Sequence, residues 1–193
     1  MNSYTALVTT TSGSRAHTVS GLTIAGEVYR FKVRAENSIG KSADSAAYSV
    51  VGASVPDPPT SFSRNDALTT TTQVAFSWSA PVDDGGSTIL DYSVLIDDNN
   101  DGEYSVADAA STSASHEQAG LSPGNTYRFR VTARNVVGAS GQSAVFTILA
   151  ATVPGQPAPP TTALSGDSTL VVIDWAAPSE LGGLSVAGYL VEI

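Results

Sequence analysis

The stretch Tyr127–Asn135, YRFRVTARN, decides the fold. Tyr127, Phe129, Val131 and Ala133 fall on one side of it; Arg128, Arg130, Thr132 and Arg134 fall on the other. Side chains alternate across a strand with a period of two, so this pattern predicts a half-buried strand of an antiparallel sheet. Upstream, QVAFSWSA (Gln73–Ala80) places Val74, Phe76 and Trp78 in the same rhythm. No helical period is sustained anywhere. Several short strands separated by turn residues predict an all-β sandwich.

The deciding stretch occurs twice. GEVYRFKVRAENSIGKS (Gly26–Ser42) matches GNTYRFRVTARNVVGAS (Gly124–Ser140) at an offset of about 98. Tyr29 aligns with Tyr127, Asn37 with Asn135 and Gly40 with Gly138. A second match, at an offset of about 97, pairs FSWSAPVDDGGSTILDYSVLI (Phe76–Ile96) with IDWAAPSELGGLSVAGYLVEI (Ile173–Ile193). There Trp78 aligns with Trp175, and Tyr92 with Tyr189. Proline-rich joints, VPDPPTS and VPGQPAPPTT, flank the segment that holds both motifs. Proline lacks an N–H and favours extended backbone, so these joints read as semi-rigid linkers. Residues 55–152 are expected to form one complete unit, residues 1–54 the second half of a unit, and residues 153–193 the first half.

These residues resemble the fibronectin type III family. The resemblance is carried by Trp78 in FSWSAP, by GG…ILDYSV, and by LSPGNTYRFRVTARNVVGAS. It implies a seven-stranded sandwich with strands A, B and E in one sheet and C′, C, F and G in the other. It further implies that Trp78 and Trp175 lie in B strands and fill the cores. Leu121, Pro123, Gly124 and Tyr127 would form a tyrosine corner leading into strand F. The earlier copy, LTIAGEVY, offers Leu22 and Tyr29, with Ala25 at the proline position and one extra residue before the tyrosine. Residues 1–54 would supply C′-E-F-G, and residues 153–193 would supply A-B-C. The family implies architecture and a binding or spacing role, not a reaction.

Ile96 precedes Tyr127 by 31 positions, and the equivalent spacing from Ile193 across to Tyr29 would be 29 if the ends abutted. The two half-units are therefore complementary. Three arrangements follow: the chain is one repeat of a longer polypeptide; chains join head to tail, the A-B-C strands of one completing the next; or the ends meet within one chain. Uncovered half-sandwiches expose core and strand edges that invite pairing. The first two arrangements share a consequence, an extended noncatalytic fibre of sandwiches. The alternative is an accessory binding or spacer module, for a carbohydrate or protein ligand, in a larger secreted or cell-surface protein.

Composition narrows the classes. The net charge of −9 argues against nucleic acid, whose phosphates need clustered cations. The chain has no cysteine, which excludes disulfides, thiolate metal sites and cysteine nucleophiles. No apolar run is long enough to span a bilayer, and no signal peptide is legible at residues 1–20. The family resemblance implies an extracellular or cell-surface location, although an intracellular array is compatible with the same residues.

Few residues suggest chemistry. DDNNDGEYSVAD (Asp97–Asp108) fits a calcium loop through Asp97, Asn99, Asp101 and Asp108. It better fits a C–C′ hairpin whose Asn-Asp-Gly supplies the turn. Calcium is thus the single cofactor candidate, and it would stiffen a loop rather than catalyse. His17 and His116 sit at equivalent places on E strands and are expected to face solvent. Asp83 and Asp84 read as a polar turn. Six of the nine basic residues, Arg30, Lys32, Arg34, Arg128, Arg130 and Arg134, lie on the two F strands. That face would attract acidic loops or an anionic glycan, or would be neutralised by cross-strand partners such as Asp91. There is no RGD tripeptide and no N-glycosylation sequon.

Overall fold

The structure is a computed structural model, and it describes residues 14–19, 26–98, 100–164, 166 and 170–192. Leu22 and Asn99 lie outside the described residues, as do most of the expected C′ and E strands of residues 1–54. Every strand pairing is antiparallel, and no helix occurs among the described residues. A hairpin of β1 (Val28–Phe31) and β2 (Tyr48–Val51) comes first. A hairpin of β10 (Thr161–Leu164) and β11 (Val171–Asp174) comes last.

Between them stands a two-sheet sandwich. One sheet runs β3 (Thr60–Arg64), β4 (Gln73–Ser79), β7 (Ser115–Ala119). The other runs β6 (Ser105–Ser111), β5 (Asp91–Asp97), β8 (Thr126–Arg134), β9 (Phe146–Leu149). The strand order within the two sheets is the A-B-E and C′-C-F-G order that the family resemblance implies. Burial along β8 alternates as its sequence does: Tyr127, Phe129, Val131 and Ala133 are buried and their neighbours are not. These four meet Val74, Phe76 and Trp78 of β4 and Tyr92, Val94 and Ile96 of β5 in one core. The Phe76 and Phe129 rings, from opposite sheets, have centroids 4.7 Å apart. Each such ring contributes about 2–3 kcal/mol by leaving water.

Two expectations are corrected by the strands. His116 does not face solvent. It sits directly opposite the buried Phe76 on β4, so the pleat turns both side chains to the same, inner face. Its ring lies 5.9 Å from that of Phe76 and 6.3 Å from that of Phe129. Asp108, with its Oδ2 3.9 Å from Nδ1, and Gln118, with its Oε1 3.3 Å from Nε2, border the imidazole at the core edge. Polarity is a weaker guide than strand phase here. His17, by contrast, is exposed.

The second correction concerns Ser185–Ile193, which the sequence suggests is a C strand. Residues 185–192 form no strand. Their counterpart β5 is held on both edges, by β6 and by β8. A strand is defined by its ladder, and β1, the copy of β8, pairs with β2 as β8 pairs with β9, with no third strand on its other edge among the described residues.

Candidate functional site

The central domain carries the corner the sequence suggests. Tyr127 is buried, and its hydroxyl accepts a hydrogen bond from the Ser122 N–H at 2.9 Å. Leu121 is buried beside it in the core. In the N-terminal hairpin Tyr29 is half-buried opposite Val50.

The acidic hairpin is organised around Asp97, which is fully buried at the end of β5. Its carboxylate accepts from the backbone N–H groups of Asp101 (3.2 Å) and Gly102 (3.1 Å) and pairs with the Arg128 guanidinium at 2.8 Å. Asp101 caps the Glu103 N–H. Asp108 lies along β6 opposite Val94, where its carboxylate borders His116 and accepts from the Ala110 N–H. The strand register thus carries Asp108 away from the turn that Asp97 closes. Among the described residues no three His, Asp or Glu side chains are grouped to hold a metal ion.

The basic side chains of β8 are engaged by neighbours. Arg134 forms a bidentate pair with Asp91, its cross-strand partner on β5. Arg128 and Asp97 are cross-strand partners as well. Arg130 donates to Gln142 Oε1 at 3.0 Å and lies over the Tyr104 ring, 5.0 Å from its centroid. In the N-terminal hairpin Arg34 pairs with Asp44, which Lys32 also approaches at 3.7 Å. The hydrogen bond from Arg34 holds the Asp44 carboxyl below the usual carboxylate range. Arg30 is exposed on the outer side of β1. The arginine-bearing side of β8 is therefore largely neutralised within the molecule.

The larger feature lies in the two terminal segments. Trp78 and Tyr92 are 5% and 7% exposed, whereas their equivalents Trp175 and Tyr189 are 41% and 43% exposed. The ring pairing itself is the same in both. Centroids are 5.4 Å apart for Trp78 and Tyr92 and 5.5 Å for Trp175 and Tyr189, each edge to face. Leu164, Val171 and Val172 of the last hairpin are exposed, as are Val28, Tyr48, Val50 and Val51 of the first. In the central domain the corresponding β9 residue Ile148 is buried, as is Val74, the equivalent of Val171. Each hairpin thus leaves exposed apolar side chains among the described residues.

A family model supplies the remaining link. Residues 57–148 match the model described as fibronectin type III domain. These residues are a fibronectin type III domain. Exoglucanase B of Cellulomonas fimi is 31% identical over 93% of this chain, and titin of Drosophila melanogaster is 32% identical over 85%. The chain spans only 17% and 1% of the lengths of those two relatives. Among solved structures, titin domains A168–A170 superpose with a TM-score of 0.51 at 26% identity, covering 63% of this chain and 40% of that one. The family match is confined to residues 57–148, whereas the likeness to exoglucanase B and to Drosophila titin runs over most of the chain.

Two functional residues are absent from the sequence-based expectations. Arg64 on β3 reaches the other sheet, donating to the carbonyl oxygens of Leu149 (2.8 Å) and Ala151 (2.5 Å). Its phase, two residues after the inward-facing Phe62, was the available signal. Asn135 is buried after β8 and bonds at both ends of its amide. Its Oδ1 accepts from the N–H groups of Val137 and Gly138, and its Nδ2 donates to the carbonyls of Ser54 (2.7 Å) and Asp84 (2.8 Å). The repeat of Asn37 at Asn135 pointed to it.

Proposed function

We propose that this chain is a noncatalytic repeat unit of an extended β-sandwich fibre, and that its two half-domains are completed by the adjoining repeat or chain. The observation that carries the proposal is the exposure of Trp175 and Tyr189 at positions whose central-domain counterparts are buried. In the central domain, β4 covers the inner face of β8, and Phe76 of β4 also meets Phe146 of β9 across the core. By repeat equivalence, a hairpin like β10–β11 is the element that fits over β1–β2. Completion would also give residues 185–192 the F-strand partner that β5 has in β8. An interface of that kind buries core and ladder together, above the roughly 2,000 Å² at which obligate interfaces begin. A head-to-tail contact of this type propagates unless it closes. The family resemblance favours a place outside the cell or on its surface.

The test is the mass of the native 193-residue chain with and without strong denaturant. Noncovalent completion predicts large species that fall to 19.7 kDa on denaturation. Completion by an adjoining covalent repeat predicts that two copies fused head to tail gain a second cooperative unfolding unit at the fusion. A single chain that stays monomeric, together with a fusion that gains no such unit, would exclude both.

A second assignment, as a spacer or binding module of a larger enzyme, is favoured by the likeness to exoglucanase B over 93% of this chain. Co-sedimentation of the chain with insoluble glucan is its test. Retention on the polymer would support it, and recovery in the supernatant would remove the glucan version.

A further inference from the structure

The two joints between consecutive units are built alike, residue for residue. At the first, the Ser54 N–H donates to the Gly85 carbonyl at 2.9 Å, and the Asp57 N–H donates to the Asp83 carbonyl at 2.9 Å. At the second, the Thr152 N–H donates to the Gly182 carbonyl at 2.9 Å, and the Gly155 N–H donates to the Glu180 carbonyl at 2.8 Å. Each residue of the second set is the repeat equivalent of its counterpart in the first. Behind each joint the preceding unit is tied off identically. The Gly26 N–H donates to Gly52, as the Gly124 N–H donates to Ala150.

The close approach explains the glycines of the Gly-Gly loops. A Cβ on Gly85 would collide with the carbonyl oxygen of Ser54, and a Cβ on Gly182 would collide with that of Thr152. Both residues also have positive φ, 72° and 70°. The loops reach the preceding unit's corner as well. A Cβ on Gly26 would lie 3.3 Å from the Gly86 oxygen, and one on Gly124 would lie 2.5 Å from the Gly183 oxygen. Asn135 closes the first joint by holding the linker carbonyl of Ser54 and the loop carbonyl of Asp84 together. Two joints that share donors, acceptors and contact points share a geometry. Neither is a free tether.

We infer that the Gly-Gly loop of each unit is a docking surface for the end of the preceding one. Its partner is the linker and tyrosine-corner backbone of another copy of the same domain, and it locks successive domains into one repeated orientation. The array is then a stiff rod whose pitch is set by the joint. The inference is independent of how the half-domains are completed, because both joints lie within one chain.

The absence of native cysteine allows a direct measurement on the full chain. Nitroxides placed by Ala46→Cys and Thr112→Cys, diluted into unlabelled chain to suppress contacts between copies, report the distance between first and central units by pulsed electron resonance. A single narrow distribution is expected for the parent. Gly85→Ala should broaden it about twofold, as a released linker samples more orientations. Gly120→Ala is the control: its φ is 77°, but no atom lies within 4 Å of the added Cβ, so it carries backbone strain without touching a joint. Should Gly85→Ala fold poorly, Ser54→Pro removes the donor to Gly85 at an exposed linker position and should broaden the distribution in the same way. A parent distribution already as broad as that of the variants would overturn the inference. So would joint variants indistinguishable from Gly120→Ala.

Discussion

Trp175 meets Tyr189 edge to face with ring centroids 5.5 Å apart, the same relationship that Trp78 and Tyr92 hold inside the finished core. The inner pair is covered and the outer pair is not. The Trp175–Tyr189 pair thus holds its geometry without the cover that Trp78 and Tyr92 have.

That difference in cover is directly measurable by fluorescence. In a Trp78→Phe variant the emission comes from Trp175 alone, the two being the only tryptophans. At low concentration acrylamide should quench it strongly. As the chain assembles, or in a head-to-tail fusion, quenching should fall toward that of the buried Trp78 measured in Trp175→Phe. Quenching that never changes with concentration or fusion would mean that nothing covers this face.

Tyr127→Phe removes the acceptor for the Ser122 N–H while keeping the buried ring. Ser122 is exposed, so water replaces the lost partner in part. The expected loss is about 1 kcal/mol in a urea titration, against about 3–5 kcal/mol for Phe129→Ala in the core. Equal losses for the two would show that the corner hydroxyl bears far more than one hydrogen bond.

Strand phase explains what the sequence could show. The alternation in Tyr127–Ala133 and in Val74–Trp78 is enforced by one wet and one dry face, so it survives in the bare letters. The joint is different in kind. Ser54 meets Gly85, and Asp57 meets Asp83, through backbone atoms, and no side-chain pattern announces such a meeting. His116 misleads because its polarity suggests water, while its register with Phe76 places it inside. Ser185–Glu192 misleads in the opposite sense: its residues suit a strand, but a strand also needs neighbours that sequence does not count.

Asp97→Asn should cost about 1–3 kcal/mol, because a fully buried carboxylate serving two backbone N–H groups and Arg128 becomes a neutral amide with one acceptor. Calcium sharpens the measurement. With Arg128 already occupying the cationic place beside Asp97, about 1 mM calcium, the weak end for extracellular modules, should leave the Tm unchanged. A Tm that rises with calcium in the parent and not in Asp97→Asn would show that an ion displaces the arginine.

Asp44 supplies a pH dependence of defined sign. Its carboxyl is held low, chiefly by the hydrogen bond from Arg34, with the charges of Arg34 and Lys32 adding to it and desolvation opposing. A depressed carboxylate stabilises the hairpin above its unfolded pKa of about 4, and that contribution is lost as pH falls through the lower folded value. Carboxyl-carbon NMR should therefore show Asp44 titrating below the ordinary carboxylate range. Arg34→Gln should move it back up, and salt should move it partway. An Asp44 inflection unaffected by Arg34→Gln would remove the pair.

Asn37 and Asn135 offer the most discriminating comparison, because one motif stands in two environments, exposed in the first and buried in the second. Both accept two backbone N–H groups through Oδ1, from Ile39 and Gly40 in the first and from Val137 and Gly138 in the second. Asn135 is buried and its amide also holds Ser54 and Asp84, whereas Asn37 is exposed. Asn135→Asp would set a buried carboxylate against two carbonyl oxygens and should cost about 3 kcal/mol. Asn37→Asp keeps its acceptor and its water, so the free chain should lose less than about 0.5 kcal/mol. In a completed half-domain the equivalent carbonyls belong to Thr152 and Leu181 of the adjoining copy, and the same substitution would then face them. Asn37→Asp is accordingly expected to spare the unfolding of the central domain while weakening association, as read by sedimentation. If it associates as the parent does, the half-domains are not completed in the geometry of the central one.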